Sequence, residues 1–199
     1  MPRIALWLCP SAARAGLACW VVAMLLLGAY TTGAHSAALP NPGARDQALQ
    51  NGVLALRVDP ARPLVVHALY AACKCSQGIV ERLLRRGRDS RFDELVLLVG
   101  KLPEQEPVLL ARGFRVQRVA ARDLGARFHI EAAPMLVVTD ARGVVRYAGG
   151  YSKLKGGPSA DQEILDRGAT GGESHRLPIL GCAVSERLKA LIDPLGLRD

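Results

Sequence analysis

The stretch PLVVHALYAACKCS (residues 63–76) places Cys73 and Cys75 between two different apolar patterns. Residues 64–69 are short and almost wholly apolar, which predicts a β-strand buried on both faces. Between residues 79 and 86, apolar side chains recur at the spacing of one buried helix face. The sequence therefore predicts a strand that ends just before the two cysteines and a helix that begins at them.

Both thiols are expected to be reactive because of this position. The N-terminus of a helix carries the positive end of the helix dipole, which stabilises a thiolate. Lys74 lies between the two cysteines and adds a cation. Since the thiolate is the nucleophile in thiol chemistry, the pattern indicates a redox site.

The spacing of Cys73 and Cys75 restricts how they can bond to each other. Side chains at positions i and i+2 of a helix point to nearly opposite sides, so a bridge between these two requires Cys73 to lie outside the helix. Such a bridge closes a ring of roughly eleven atoms with unrelaxed torsions, which favours its reduction. Two other interpretations are open here: the cysteines are small buried residues, or they bind a soft metal ion.

The N-terminal residues have the pattern of an export signal. Arg3 and Arg14 precede an uncharged, largely apolar stretch from residue 15 to residue 30, and small residues follow it. The stretch is intermediate in length between a signal core and a membrane-spanning helix. Basic residues before it, and no Lys or Arg after it until Arg45, predict that the rest of the chain lies across the membrane. We expect residues 1–38 to be a signal or a transmembrane anchor, with an uncleaved anchor favoured.

The rest of the chain predicts one domain after a short linker. Residues 39–51 contain Pro40, Pro42 and Gly43, which are typical of a linker. Residues 52–199 have the length of a single domain with a sizeable core.

The cysteine count changes when the leader is set aside. Cys9 and Cys19 belong to the leader, and Cys73, Cys75 and Cys182 remain. In an oxidising compartment an odd number indicates one bridge and one free thiol, or three thiols that pass a bridge among them.

Downstream of the cysteines, strand-like and helix-like patterns alternate. Residues 92–100 and 115–119 predict two further strands, and residues 104–113 and 122–129 predict helices. Residues 53–58 alternate in the manner of a first, edge-like strand.

A β-hairpin is predicted next. Met135–Thr139 and Val144–Tyr147 flank a turn signal at residues 140–143. Pro134 is placed at the start of the first of these strands, where a missing N–H is tolerated. The fold class predicted from these elements is α/β, a central mixed β-sheet flanked by helices.

Residues 152–199 form a Gly-rich C-terminal extension. Its polar stretch up to residue 172 predicts a mobile segment, with one short helix at residues 159–165. The sequence Pro178-Ile-Leu-Gly-Cys182 follows, and a helical tail is predicted after it.

The order of these elements resembles the thioredoxin superfamily over about residues 53–151. A buried strand, a cysteine pair, a helix, a strand and a helix precede Ala132-Ala133-Pro134, which opens a hairpin that ends in two glycines. The resemblance implies a thioredoxin-like fold in which Cys73 is the attacking cysteine. It also implies that Pro134 is a cis-proline that faces the cysteines, and that Ala133 and Pro134 shape the groove for the substrate backbone.

Several residues depart from the usual pattern of that superfamily. Ser76 stands where the second cysteine of Cys-x-x-Cys is expected, so the resolving thiol is Cys75 or comes from elsewhere. His67, six residues before Cys73, occupies the place of a buried acid that helps to move protons in thioredoxins. A histidine can do this near neutral pH, while the alternative is a core residue with its hydrogen bonds satisfied.

The chain also resembles exported bacterial thioredoxin-like proteins that have a Cys-x-Cys-Ser site and a C-terminal Pro-x-x-Gly-Cys. Residues 73–76 and 178–182 match these two elements. The resemblance places Cys182 among the candidate redox thiols. The alternative is a purely structural role, in which Cys182 packs in the core as a small apolar residue.

The function expected from the sequence is an exported, membrane-anchored thiol-disulfide oxidoreductase. Cys73 attacks, Cys75 resolves at short range, Cys182 acts as a third thiol, and His67 assists proton transfer. This scheme requires an exposed sulfur at residue 73. The partners are protein thiols or disulfides, and the domain faces the periplasm from the inner membrane, or is secreted if the leader is cleaved.

Two alternatives are a soft-metal carrier and a redox-inactive scaffold that holds a membrane partner. Three thiolates with His67, His129 or His175 would suit Cu(I) or Zn(II), but no Cys-x-x-Cys pair or helical His spacing is present. No resident metal and no cofactor are therefore expected. The formal net charge is +8, yet the basic residues are scattered among acids without interleaved aromatics, so nucleic acid is not an expected partner.

Overall fold

Strand β1 (Leu64–Tyr70) lies in the middle of the sheet, as its almost wholly apolar sequence predicts. In the computed structural model, which describes residues 10–172 and 174–193, residues 64–69 are all buried. Strand β2 (Asp93–Val99) pairs with β1 in parallel, and strand β5 (Met135–Thr139) pairs with it antiparallel. The sheet is therefore mixed.

The remaining elements are assigned in chain order. The other strands are β3 (Arg115–Arg118), β4 (Ala132–Ala133), β6 (Val145–Gly149) and β7 (Cys182–Ala183). The helices are α1 (Pro10–Ser36), α2 (Gln47–Leu54), α3 (Lys74–Arg86), α4 (Gln105–Ala111), α5 (Ala121–Phe128), α6 (Asp161–Ala169) and α7 (Glu186–Ile192). Five strands form one sheet in the order β3-β2-β1-β5-β6, and β4 pairs with β7 in a second, two-stranded sheet.

Helices cover both faces of the five-stranded sheet. Because side chains alternate along each strand, the central apolar strands present apolar residues to both faces. On one face, Val66 and Ala68 of β1 share a core with apolar residues of α2, α5 and α7. On the other face, Leu69 packs with α3 and α4, and Val65 packs with α6. The α/β class with helices around a mixed sheet is confirmed.

The prediction of a linker at residues 39–51 and an edge strand at residues 53–58 is wrong. Helix α2 spans part of both ranges. Its N-cap Asp46 accepts a hydrogen bond at Oδ1 from the Leu49 N–H at 2.8 Å. Leu49 and Val53, four residues apart on one helix face, are fully buried in the core. The prolines just before this cap are typical of a linker, which is why the sequence pattern did not predict the helix.

The Gly-rich extension is also more ordered than its composition predicts. Helix α6 starts and ends later than the expected helix at residues 159–165, and its Ile164 and Leu165 are buried. Ile179 and Val184, further along, are buried in the main core. A few well-placed apolar residues therefore fix a stretch that is otherwise polar and rich in glycine.

The chain divides into two units, residues 1–37 and residues 38–199. Helix α1 makes up the described part of the first unit, and large apolar side chains such as Leu17, Trp20 and Leu25 are exposed on it. In residues 10–172 and 174–193 no helix is both long and apolar enough to cross a membrane. The basic start of the predicted leader, with Arg3, lies outside the described residues.

We expect Gly150→Ala to lower the free energy of unfolding by about 1–3 kcal/mol, the usual cost of overpacking. A Cβ atom at this buried position would lie 1.8 Å from the carbonyl oxygen of Pro178. Denaturant unfolding of the oxidised protein measures the effect.

The matched control is Gly78→Ala in α3, where a Cβ atom meets nothing within 4 Å. This variant should gain about 0.5–1 kcal/mol from the better helix propensity of alanine. Equal stability of the two variants would contradict the close approach at Gly150.

Candidate active site

The loop between β1 and α3 places Cys73 just outside the helix, the position that a bridge to Cys75 would require. Cys73 is the N-cap residue with extended backbone, and its carbonyl oxygen accepts a hydrogen bond from the Gln77 N–H at 3.0 Å. The buried Ser76 hydroxyl accepts a hydrogen bond from the Tyr70 N–H at 3.1 Å. Ser76, at the place of the usual second cysteine, therefore ties the helix to the strand instead of supplying a thiol.

A disulfide joins Cys73 to Cys182, with their Cα atoms 6.0 Å apart and a separation of 109 positions in sequence. Cys75 is a free, half-buried cysteine. The third thiol, not the neighbouring one, is therefore bonded to Cys73 in this structure, and the role of Cys75 as a resolving thiol stays a prediction. Cys75 lies inside the first turn of α3, whereas the pairing of β4 with β7 carries Cys182 to the site.

The peptide bond between Ala133 and Pro134 is cis, as the superfamily resemblance implies. The Sγ atom of Cys73 lies 3.8 Å from the carbonyl oxygen of Ala133. In the β4–β7 pair, Ala133 is the register partner of Cys182. The predicted groove residues Ala133 and Pro134 therefore lie beside the bridge, and the chain's own strand β7 occupies the edge next to them.

The expectation of an exposed sulfur at residue 73 is wrong for this oxidised form. Cys73 is fully buried. Its bonding partner Cys182 belongs to the C-terminal segment, which we define as residues 177–185. Cys182, by contrast, is partly exposed.

Backbone hydrogen bonds and core packing hold the C-terminal segment in place. The Leu39 N–H donates to the Ile179 carbonyl at 2.9 Å, and the Val184 N–H donates to the Glu131 carbonyl at 2.7 Å. Gly181 packs so closely that a Cβ atom there would lie 1.9 Å from the carbonyl oxygen of Ala133. Hydrogen bonds and packing therefore attach the C-terminal segment to the domain in addition to the disulfide.

The electrostatic surroundings favour negative charge on Cys73 when the bridge opens. Helix α3 has 13 residues, no acidic residue in its first turn, and no side chain that caps its N-terminus. Its positive end is therefore not neutralised by a neighbouring carboxylate. Lys74, at the first position of the helix, adds a cation next to Cys73 in the sequence.

His67 is fully buried and has a hydrogen-bond partner at each ring nitrogen. Its Nε2 atom lies 2.9 Å from Oε2 of Glu94, and its Nδ1 atom lies 2.8 Å from the Tyr151 hydroxyl. A carboxylate only accepts hydrogen bonds, so Nε2 is the donor in the first of these contacts. His67 is therefore a core residue whose hydrogen-bonding groups both have partners. Its role as a proton shuttle stays a prediction.

Glu94 is held ionised in the core by hydrogen bonds from His67, Arg86 and the Asp89 N–H. Arg86 donates to both of its carboxylate oxygens, at 3.0 and 2.6 Å. Burial raises the pKa of Glu94, but the hydrogen bonds and charges of His67 and Arg86 outweigh it and lower the pKa to about 2. Arg86 also forms an ion pair with Asp161 of α6, at 3.4 Å.

This network was not found by the sequence analysis, although a signal for it exists. An acid in the apolar run of β2 and a histidine in the apolar run of β1 each need a buried partner. In the parallel pairing of β1 with β2, His67 is opposite Val96. Glu94 lies two residues before Val96, so its side chain is on the same face of the sheet as that of His67. The two polar residues could therefore have been paired with each other.

Within the described ranges of the chain, no three His, Cys, Asp or Glu side chains are grouped so that they could hold a metal ion. His129 instead lies 3.0 Å from the Asp46 carboxylate at the N-terminus of α2.

We expect the free energy of unfolding to fall as the pH decreases from 4.5 towards 2, partly because of Glu94. A carboxyl group whose pKa is lowered in the folded state stabilises the fold above its ordinary value of 4.5 and loses this effect as the pH falls through about 2. The contribution is about 3 kcal/mol by the conversion of pKa shifts to free energy. Urea unfolding at a series of pH values measures it.

Glu94→Gln should flatten this part of the pH profile, in addition to lowering stability at neutral pH. The control Glu163→Gln changes an exposed carboxylate that pairs with Arg167 in the same helix, and should leave the profile as in the wild type. An identical slope in Glu94→Gln and wild type would contradict the assignment.

Comparison with known proteins supports the fold. No protein-family model and no curated protein matches the chain. Two solved structures superpose on the chain with a TM-score of 0.51 each. The first is a hypothetical protein from Sinorhizobium meliloti 1021, with 16% identity over 63% of this chain and 80% of that one. The second is an uncharacterized conserved protein from Geobacillus kaustophilus, with 15% identity over 63% of this chain and 77% of that one. A thioredoxin-like protein solved in its oxidised form is 14% identical, over 59% of this chain and 87% of that one, with a TM-score of 0.45. The first two structures show that the chain shares their overall fold. Its own strand order, the helix that starts at Cys73 and the cis bond before Pro134 have the thioredoxin-like arrangement that the sequence resemblance implies.

Proposed function

We propose that this protein is a thiol-disulfide oxidoreductase whose redox pair is Cys73 and Cys182. The observation that carries the proposal is the bridge between the cysteine at the N-terminus of α3 and a cysteine held beside the cis-proline loop. Electrons pass through the sulfur atoms themselves, so the reaction needs no cofactor.

The position of the bridge favours exchange over a purely structural role. On reduction, the helix N-terminus stabilises a thiolate on Cys73, and stabilising the reduced form makes a disulfide a stronger oxidant. Cys182 is partly exposed, so one end of the bridge can be reached by another molecule. The substrate class that fits this chemistry is a protein or peptide with two thiols, or with a disulfide when the reaction runs in reverse.

Cys75 has a subordinate place in the proposal. It is free and half-buried two residues from Cys73, so its thiolate can attack Sγ of Cys73 and release Cys182 as a thiolate, which moves the bridge to Cys73 and Cys75. A slower reaction in Cys75→Ser would show this contribution, and an unchanged rate would remove Cys75 from the scheme.

Exchange with a peptide tests the function. The oxidised full-length chain should convert a peptide dithiol to its disulfide, and the reduced chain should carry out the reverse reaction. Cys73→Ser and Cys182→Ser should each lower the rate to that of the uncatalysed exchange, because either change removes the bridge. Mass spectrometry of the peptide follows the reaction.

The matched control is Cys19→Ser, which changes an exposed cysteine of α1 and should leave the rate unchanged. If Cys73→Ser or Cys182→Ser catalyses as well as the wild type, the bridge is not the redox pair and the proposal fails.

We also propose that residues 1–38 direct export, as a signal or an anchor, so that the domain lies in an oxidising compartment. The support is the basic start and apolar stretch of the sequence, together with a disulfide that reducing cytosol would not maintain.

Export can be tested by mapping the oxidation state of the bridge in cells. In a bacterium that makes the full chain, Cys73 and Cys182 should be found joined, and protease added to spheroplasts should digest the domain. The double variant Leu25→Glu, Leu26→Glu interrupts the apolar stretch and should leave both cysteines as thiols in a protected domain. An oxidised bridge in a protease-protected domain of the double variant would contradict export.

A further inference from the structure

The two cysteines of the bridge differ in their exposure to solvent. Cys73 has no exposed surface, whereas Cys182 is partly exposed. An incoming thiolate must approach the sulfur that it attacks, so access alone favours attack at Cys182. This order departs from the superfamily resemblance, which gives the first contact with the partner to Cys73.

The C-terminal segment bonded to Cys73 is part of the core and does not open easily. Ile179, Val184 and Leu188 are buried on both sides of Cys182 in sequence. Strand β7 already pairs with Ala132 and Ala133. A partner chain would have to pull these residues out of the core before it could pair with β4 and reach Cys73.

The charge left by each possible attack also differs. Attack at Cys182 leaves a thiolate on Cys73, at the N-terminus of a 13-residue helix with no acid in its first turn. Attack at Cys73 would leave a thiolate on Cys182, which precedes a seven-residue helix whose first turn contains Glu186. The lower-pKa thiol is the better leaving group in thiol-disulfide exchange, and the helix N-terminus favours that role for Cys73.

We propose that Cys182 is the sulfur attacked by the partner and that Cys73 is the leaving thiolate. This inference rests on the proposed function. The partner's first thiolate bonds to Sγ of Cys182, the bond from Cys182 to Cys73 breaks, and the electron pair goes to Sγ of Cys73. The partner's second thiolate then attacks the partner's own sulfur in the mixed disulfide and releases Cys182 as a thiolate. The partner loses two electrons and two protons overall, and the bridge becomes two thiols.

The same order holds for the reverse reaction, because forward and reverse exchange share their transition states. In the reduced protein, Cys182 first bonds to the partner, and Cys73 then attacks Cys182 to restore the bridge. The close packing that brings Cys182 to Cys73 therefore serves the resolving step, which needs the two sulfurs to be near each other.

The site of the first bond can be mapped directly. The free cysteines of the oxidised full-length chain are blocked with N-ethylmaleimide while the bridge is intact, and the reagent is removed. A peptide with a single thiol is added, the reaction is stopped with acid at short times, and pepsin digestion in acid prevents rearrangement before mass spectrometry. At the earliest times we expect the peptide on Cys182 in at least tenfold excess over Cys73, with Cys73 as the free thiol.

Urea-unfolded oxidised protein is the control, because unfolding exposes both sulfurs and removes the helix. Its ratio should approach one. A peptide bound mainly to Cys73, equal labelling in the folded protein, or the same ratio in folded and unfolded protein would each overturn the inference. With peptide-dithiol oxidation intact, these results leave the proposed function standing. If the folded protein forms no adduct while the unfolded protein does, the bridge is structural and both proposals fail.

Discussion

The pairing of Ala133 with Cys182 is the contact on which the rest of the site depends. It joins the cis-proline loop to a strand from the far end of the domain, and it brings a second sulfur to the one at the start of α3. The pairing works only because Gly181 has no side chain, since the carbonyl oxygen of Ala133 occupies the space that a Cβ atom would need. A two-residue strand is weak alone, so the buried residues on either side of it supply the stability.

A second constraint comes from burying charge on the opposite face of the sheet. Glu94 could not remain ionised in an apolar core without partners, and Arg86 and His67 provide them. Asp161 extends the same set of contacts to α6. The sheet, the helix that begins at Cys73 and the Gly-rich region are therefore tied together through one group of buried polar side chains. This group fixes the orientation of α3 relative to β1, and so the position of Cys73.

The sequence alone was enough to predict the central elements, because their signals are local. The apolar run of β1, the amphipathic pattern of α3 and the turn between β5 and β6 each depend on residues close in sequence. The burial of Cys73 and its bond to Cys182 depend on a two-residue strand more than a hundred residues away, which leaves no periodic pattern. Helix α2 was missed because three turn-forming residues precede its Asp46 cap. The partners of Glu94 needed the strand register, which periodicity does not provide.

The long separation between the bonded cysteines has a thermodynamic consequence for the domain as a whole. The bridge closes a covalent loop that contains most of the sheet. Closing a loop of about 100 residues removes conformational entropy from the unfolded chain worth about 4.7 kcal/mol in the chain-entropy account. By thermodynamic linkage, the same free energy opposes loss of the bridge in the folded state. Reduction of the bridge therefore lowers the free energy of unfolding of the domain. The reduced protein is expected to unfold, and to be digested by proteases, more readily than the oxidised protein.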